Sequence, residues 1–435
     1  MMMRITVFLF MILICVFIKA QDSFSAYFTD KQLRIDFALS GNDRYQAAAL
    51  LQLREEPIWG GPHKNLIDPF DFGGYALKVY SKKNGTLLYA RGFNTLFEEW
   101  RATAQAQKET QAWINSVVTP FPKDTVEIIL LARNKATNLF DTLLIMDIDP
   151  LSIFIDRGKL NDCEMESIQS KGKPQEKVDL VFLAEGYTAA EKDKFINDAK
   201  RFTDSLFVVP PFNKRKDDFN VSAVFIRSEE RGTDFSGKGI FKNTALNTGF
   251  YTFGTERYLT TGDMKSIRDA VWNIPCDAIF ILVNSDVYGG GGMYNFYAVG
   301  TADNRQTIHV FVHEFGHSFA GLADEYFYDD DLSDFYNLNV EPWEANITTL
   351  VDFDKKWKNI LPATTPIPTP ARPPYSGHPG VFEGGGYLSR GIYRPSDHCM
   401  MRDFAPFCPV CSKVILNMID FLTDRQVVGN DTFAQ

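Results

Sequence analysis

At 435 residues the chain exceeds what one hydrophobic core usually organises, and its 45% hydrophobic and 23% charged residues exclude a chain disordered over most of its length. Lys and Arg total 45 against 55 Asp and Glu, a net charge of −10 that repels nucleic acid and anionic lipid and removes both as partners. Two folded domains are expected, and an aromatic content of 14% suffices both for a large core and for the lining of a cleft.

The first twenty residues read as an export signal: Arg4, an apolar run over 5–18, and Ala20 placed for cleavage before Gln21. The run is too short to span a bilayer comfortably. Lys19 and the polar residues after it resemble a processing site more than the flank of a permanent anchor. Cys15 follows Ile14, where lipid attachment wants a small residue. No other window is apolar for long enough to cross a membrane, so a secreted, periplasmic or cell-surface protein is expected, with no integral membrane segment after signal removal. Cys163, Cys276, Cys399, Cys408 and Cys411 remain, an odd number, so at least one thiol is unpaired or pairs between chains.

From 24 to 150 the pattern is mainly strands: 33–39 alternates, 75–80 and 86–91 flank the turn Lys82-Lys83-Asn84-Gly85, and 125–131 and 142–148 continue it. A helix is expected over 108–117. The first domain, 21–160, is therefore expected to be an all-β sandwich, jelly-roll-like, without a catalytic cluster. His63, its single histidine, sits in a turn-rich segment and reads as a solvated loop residue.

A polar stretch, 161–177, with Gly172 and Pro174, reads as the linker. Beyond it strands at 178–184, 220–226 and 277–284 alternate with helical spacing at 188–206 and 264–272, which predicts an α/β second domain, a helix-flanked sheet over 178–425. No repeat period is present. Four glycines, 289–292, precede the aromatic stretch 293–299, which is expected as an exposed edge strand able to hold an extended peptide through Met293, Tyr294 and Phe296. A flexible turn followed by a core strand is the plainer reading of the same residues.

The chemistry lies in His313-Glu314-Phe315-Gly316-His317. Residues 308–320 are apolar on one face with helical spacing, and two histidines four apart project from one side of a helix, where both imidazoles reach one zinc ion at about 2.0 to 2.1 Å. Glu314 follows the first ligand, free to take a proton from the water that the metal activates. With six histidines in the chain, this pattern arises by chance about once in two hundred such sequences. His309 extends the stripe, but three ligands on one straight helix splay away from a single ion, so it reads as packing or support. Catalytic zinc usually needs a third protein ligand. Gly321 can end the helix in a left-handed conformation and turn the chain back toward the metal, leaving Asp324 and Glu325 as competitors.

The run 313–326 resembles the motif of the M64 peptidases, the family named for an immunoglobulin A peptidase, and is related to the longer metzincin motif. The resemblance implies a metzincin-like zinc peptidase domain, with a third ligand three residues after the glycine, at Asp324. Glycine and ligand each stand one residue further from the second histidine than in metzincins, and the ligand is Asp rather than His, which keeps Glu325 open. It also implies a methionine turn beneath the metal, for which 396–402 is the candidate, with Met400 preferred to Met401. The first domain is similar to the amino-terminal domain that accompanies M64 catalytic domains.

Other clusters are weaker. Cys408-Pro409-Val410-Cys411 could join Cys399 and His398 in a structural zinc site, while a disulfide from Cys399 to Cys408 or Cys411 is at least as well supported in an exported chain. The acidic residues Asp329, Asp330, Asp331 and Asp334 could hold calcium, though a solvated loop is favoured because no Gly-centred calcium loop follows. The Pro-rich 362–374 and the glycines 384–386 are expected as loops bordering the cleft, and Tyr393 or His398 as a further proton donor. The reading is a zinc endopeptidase, with one catalytic ion, acting on extended polypeptide or glycoprotein substrates. Its rivals are a zinc amidase acting on cell-wall peptides and a degenerate surface binding protein; oligomeric state is left open.

Overall fold

A computed structural model describes residues 23–328 and 335–427, so the expected export signal and the acidic run 329–334 lie outside the described residues. The first domain runs through α1 (Ser23–Tyr27), β1 (Phe28–Gly41), β2 (Gln46–Glu56), β3 (Tyr75–Ser81), β4 (Leu87–Phe93), α2 (Leu96–Trp100), β5 (Gln111–Pro122), β6 (Val126–Arg133), β7 (Phe140–Ile148) and β8 (Ile155–Asp156). These strands form two sheets, in the orders β5-β1-β2-β8 and β4-β3-β6-β7. Alternation puts Leu33, Ile35, Phe37 and Leu39 of β1 into one core with Tyr75, Leu77 and Val79 of β3 and Ile128 and Leu130 of β6, so the two sheets share their apolar faces. Gly85, at φ +70°, closes the β3–β4 turn by donating its N–H to the Ser81 carbonyl at 2.8 Å.

The helix expected over 108–117 is instead the start of β5, which pairs antiparallel with β1 from Gly41↔Gln111 to Phe28↔Pro122. The long partner strand decides the conformation of these residues, and local spacing does not.

The second domain contains β9 (Glu164–Gln169), β10 (Val178–Glu185), α3 (Lys192–Leu206), β11 (Phe219–Phe225), the short pair β12 (Asp234–Phe235) and β13 (Gly249–Phe250), α4 (Met264–Ala270), β14 (Ala278–Val283), β15 (Gly290–Met293), β16 (Tyr297–Thr301), α5 (Thr307–Ala320), β17 (Phe382–Gly385), β18 (Leu388–Arg394) and α6 (Pro409–Leu422). Its main sheet has the order β15-β16-β14-β10-β11-β9. The four central strands are parallel, and both edges are antiparallel. Strand β10 is buried along its whole length. Its residues Leu180 and Phe182 face a core shared with α3, α5 and α6, while Val181 and Leu183 face α4, so helices cover both faces. The stretch expected as a linker thus contributes β9, whose largely exposed polar residues are those of an edge strand. No described helix is long and apolar enough to cross a membrane.

The glycine run also departs from expectation, because the glycines are themselves the edge strand and the aromatic residues behind them lie in the core. Met293, Tyr294 and Phe296 are only 1%, 2% and 5% exposed. Glycine is required here because β15 lies directly on α5: a Cβ on Gly292 would stand 2.3 Å from the Glu314 carbonyl oxygen, and one on Gly290 would stand 2.9 Å from Glu314 Cγ. Gly292→Ala is expected to force β15 off the helix and lower stability by about 1–3 kcal/mol, as read by thermal unfolding. An unchanged melting temperature would mean that the strand and helix do not touch in this way.

The two domains are joined by specific contacts. Arg34 donates to Asp269 at 2.6 Å, and the Asp424 carboxylate just beyond α6 accepts the backbone N–H groups of His63, Lys64 and Asn65 at 2.9, 2.9 and 3.0 Å. His63 itself stacks on Phe24, away from the cleft described next.

Candidate metal centre and cleft

Helix α5 buries Phe311, Phe315 and Phe319 and turns His313, Glu314 and His317 toward a cleft of about 2280 Å³, open solvent included. It ends at Gly321, which takes the left-handed conformation (φ 64°) and donates its N–H back to His317 and Gly316 carbonyls. The reversal returns Asp324 to the histidines: its Oδ1 lies 3.1 Å from His313 Nε2 and 3.3 Å from His317 Nε2, and the two Nε2 atoms are 3.1 Å apart. Ligand atoms around one tetrahedral zinc lie roughly 3.3 Å from each other.

The opposite ring nitrogens decide the tautomers. His313 Nδ1–H donates to the Met400 carbonyl at 2.9 Å and His317 Nδ1–H to the Leu322 carbonyl at 2.6 Å, which turns both Nε2 lone pairs inward. Three acceptors therefore face one point, an arrangement that repels unless a cation or protons sit between them. Glu314 is outside this ligand trio. Asp324 Oδ2 accepts from Tyr387 Oη–H at 2.6 Å, which fixes the carboxylate with its other oxygen toward the imidazoles. The residues present fit a divalent ion.

Without an ion the same geometry shifts every proton equilibrium in the cluster. Burial opposes protonation of His317, but the Asp324 carboxylate outweighs it and holds the imidazole at about 9. His313 moves up for the same pair of reasons. Burial alone would raise Asp324, yet its two imidazole neighbours keep it well below the usual carboxylate range. Glu314 is pushed up by burial. His309 lies on the cleft wall against Phe404, ring centroids 4.1 Å apart, and burial, followed by the charge on His313, brings it to about 4.

Both methionines of the expected turn lie beneath α5 in different roles. Met400 supplies the carbonyl that holds His313, and Met401 Sδ packs where a Cβ on Gly316 would come within 2.8 Å. Glu325, the competitor for the ion, points away, and its Oε1 lies 3.0 Å from Cys411 Sγ. Cys399, Cys408 and Cys411 are all free, and His398 stands apart from them, mostly exposed and bonded to Asp403 at 2.7 Å.

Of the expected cleft residues, Met293 and Tyr294 reach the lining while Phe296 does not, and neither Tyr393, His398 nor any residue of 362–374 borders it. The walls instead come from Arg257, Tyr258, Tyr326, Tyr328 and Tyr387, with Arg257 donating to Tyr328 Oη at 3.1 Å. Asn94 and Glu99 of the first domain close one side. Burial raises Glu99 to about 7 against the hydrogen bond it accepts from Tyr258. Tyr326 closes the 313–326 motif, but the other wall residues sit in no recognisable motif; the nearest signal to Tyr387 is the glycine run 384–386, whose constrained backbone leads to it at φ 70°.

No curated protein matches this chain. Residues 23–143 match the domain described as peptidase M64 N-terminus, and residues 167–374 and 371–419 match the family described as IgA peptidase M64. The second match spans more than half of the chain and contains α5, the Gly321 reversal and Asp324, and the chain belongs to the M64 peptidase family.

Proposed function

We propose that this chain is an exported zinc-dependent endopeptidase that cuts extended protein or glycoprotein chains, with the zinc held by His313, His317 and Asp324 and with Glu314 as general base. The observation that carries the reading is the convergence of two Nε2 atoms and one carboxylate oxygen within 3.3 Å, beside a carboxylate that is not part of the trio. A zinc ion held by His313, His317 and Asp324 would supply Lewis-acid activation of the carbonyl and of the attacking water. Glu314 takes the proton of the attacking water and hands it to the leaving amine; burial raises its proton affinity, which suits it to carry that proton between the two steps. Arg257 and the phenols of Tyr326 and Tyr328 are donors on the same wall, suited to the charge that develops on the substrate oxygen.

The substrate class rests on the cleft and on β15. An extended chain aligned with β15 would pass directly over Glu314, because Gly290 and Gly292 bring that strand against it. One stretch of the edge is already taken, since Gly290 bridges Tyr258 in parallel fashion. A metzincin-like second domain is supported by α5, the Gly321 turn and the methionines under the helix. Export rests on residues 1–20 alone.

The test is to incubate the purified chain with a denatured-protein library and with isolated cell-wall peptides, with and without a chelator. Cleavage of the library that stops on chelation and returns with zinc is expected. Cleavage confined to wall peptides would replace the endopeptidase reading with an amidase, and no cleavage of either by zinc-loaded protein would leave a binding role.

A further inference from the structure

We propose that the chain holds a second metal ion, a structural zinc bound by Cys399, Cys408, Cys411 and Glu325, separate from the centre on α5. The four ligand atoms all lie within 4.8 Å of one another. Cys399 and Cys411 sulfurs are 3.7 Å apart, and Glu325 Oε1 is 3.0 Å from Cys411 Sγ. With Zn–S bonds of about 2.3 Å, tetrahedral geometry spaces the sulfurs roughly 3.8 Å apart. A disulfide, with sulfurs about 2.05 Å apart, would use two of the three cysteines and seal the third with a carboxylate.

The carboxylate is the second, independent observation. Glu325 is 0% exposed, and its Oε2 has no hydrogen-bond partner, while Oε1 accepts from Asn346 Nδ2 at 3.0 Å. A carboxylate with an unpaired oxygen in a sealed pocket is costly unless it binds a cation. Backbone amides already point at the sulfurs: Cys408 N–H donates to Cys399 Sγ at 3.3 Å and Cys411 N–H to Cys408 Sγ at 3.5 Å, as thiolates require. Three thiolates and one carboxylate, buried and fully enclosed by protein, make a closed set for a borderline-soft ion, and binding would release the three thiol protons to solvent.

The position of this site gives the ion its work. Glu325 follows Asp324 directly, and its N–H donates to the Met401 carbonyl at 2.8 Å. Cys399 precedes Met400, whose carbonyl holds His313, and Cys408 caps the start of α6. One ion would therefore clamp the Asp324 loop, the methionine turn and α6 together without touching substrate. Glu325 and the cysteines are positioning residues for the first centre.

The inference stands apart from the peptidase reading, and its test separates the two. Metal content of the purified full chain is expected to be two zinc ions, falling by one in Cys411→Ser and by the other one in the His313→Ala, His317→Ala double variant. Cobalt substitution serves as the readout that needs no cysteine variant. Wild-type protein and the double histidine variant should both show a near-ultraviolet thiolate-to-cobalt charge-transfer band, and titration of wild-type thiols with an organomercurial should release one zinc. An intact mass showing Cys399 bridged to Cys408 or Cys411, or three free thiols with no such band, would overturn the site.

Discussion

Glu314→Gln is expected to lower peptide hydrolysis by about 10²–10⁴-fold with metal content unchanged, the usual range for loss of a positioned general base. The substitution isolates proton transfer for two reasons. Glu314 is outside the ligand trio, so the ion has no cause to leave. The side chain fills a tight slot in which a Cβ on Gly290 would come within 3.0 Å of Oε1, and Gln has the same shape, so β15 and α5 keep their packing. Metal analysis, thermal unfolding and kcat on one peptide separate these effects. A variant within tenfold of wild type would remove Glu314 from the proposed role.

Asp324→Ala is expected to lower zinc affinity by more than the 10–100-fold that loss of an outer partner costs, and to abolish hydrolysis with it. Asp324 supplies the one anionic oxygen in the trio, and its second oxygen is held by Tyr387, so its removal takes both a ligand and the anchor for that phenol. Competition against a chromophoric chelator gives the affinity. Glu325→Gln tests the neighbouring carboxylate: Glu325 faces Cys411 rather than the imidazoles, so its loss is expected to weaken the cysteine site while Asp324 stays in place beside His313 and His317. Equal affinity in wild type and Asp324→Ala, with Glu325→Gln losing an ion while its thiolate-to-cobalt band persists, would reverse the assignment of the third ligand.

The part of this site that could be read from sequence is the part encoded locally. His313 and His317 share a face because helical periodicity places residues four apart in register, and the reversal at Gly321 follows from the one residue type that takes a positive φ without strain. Asp324 is implied by the resemblance to the M64 motif, in which a ligand follows the glycine by three residues, and the fold shows that Glu325 turns the other way. Tyr387, Arg257 and Glu99 come from distant segments whose local residues carry no periodic or motif signal, and only the packing of the β17–β18 turn, the segment between β13 and α4, and α2 brings them in. Strand β5 departs from the helical expectation for a related reason, since its partner β1 lies far away in sequence. The glycines at 289–292 signal a backbone that can bend or be approached closely, and the structure uses the second property, the absence of a Cβ where 290 and 292 meet α5.

Glu99 and Asn94 stand on one side of the cleft although His313, His317 and Asp324 belong wholly to the other domain. On the proposed reading, selectivity becomes a joint property of two modules. Transplanting 164–427 beside a different amino-terminal partner would carry over the hydrolytic machinery yet present a new mouth to incoming chains, and the sandwich, free of catalytic groups itself, becomes a lever by which substrate preference diverges while the reaction stays the same.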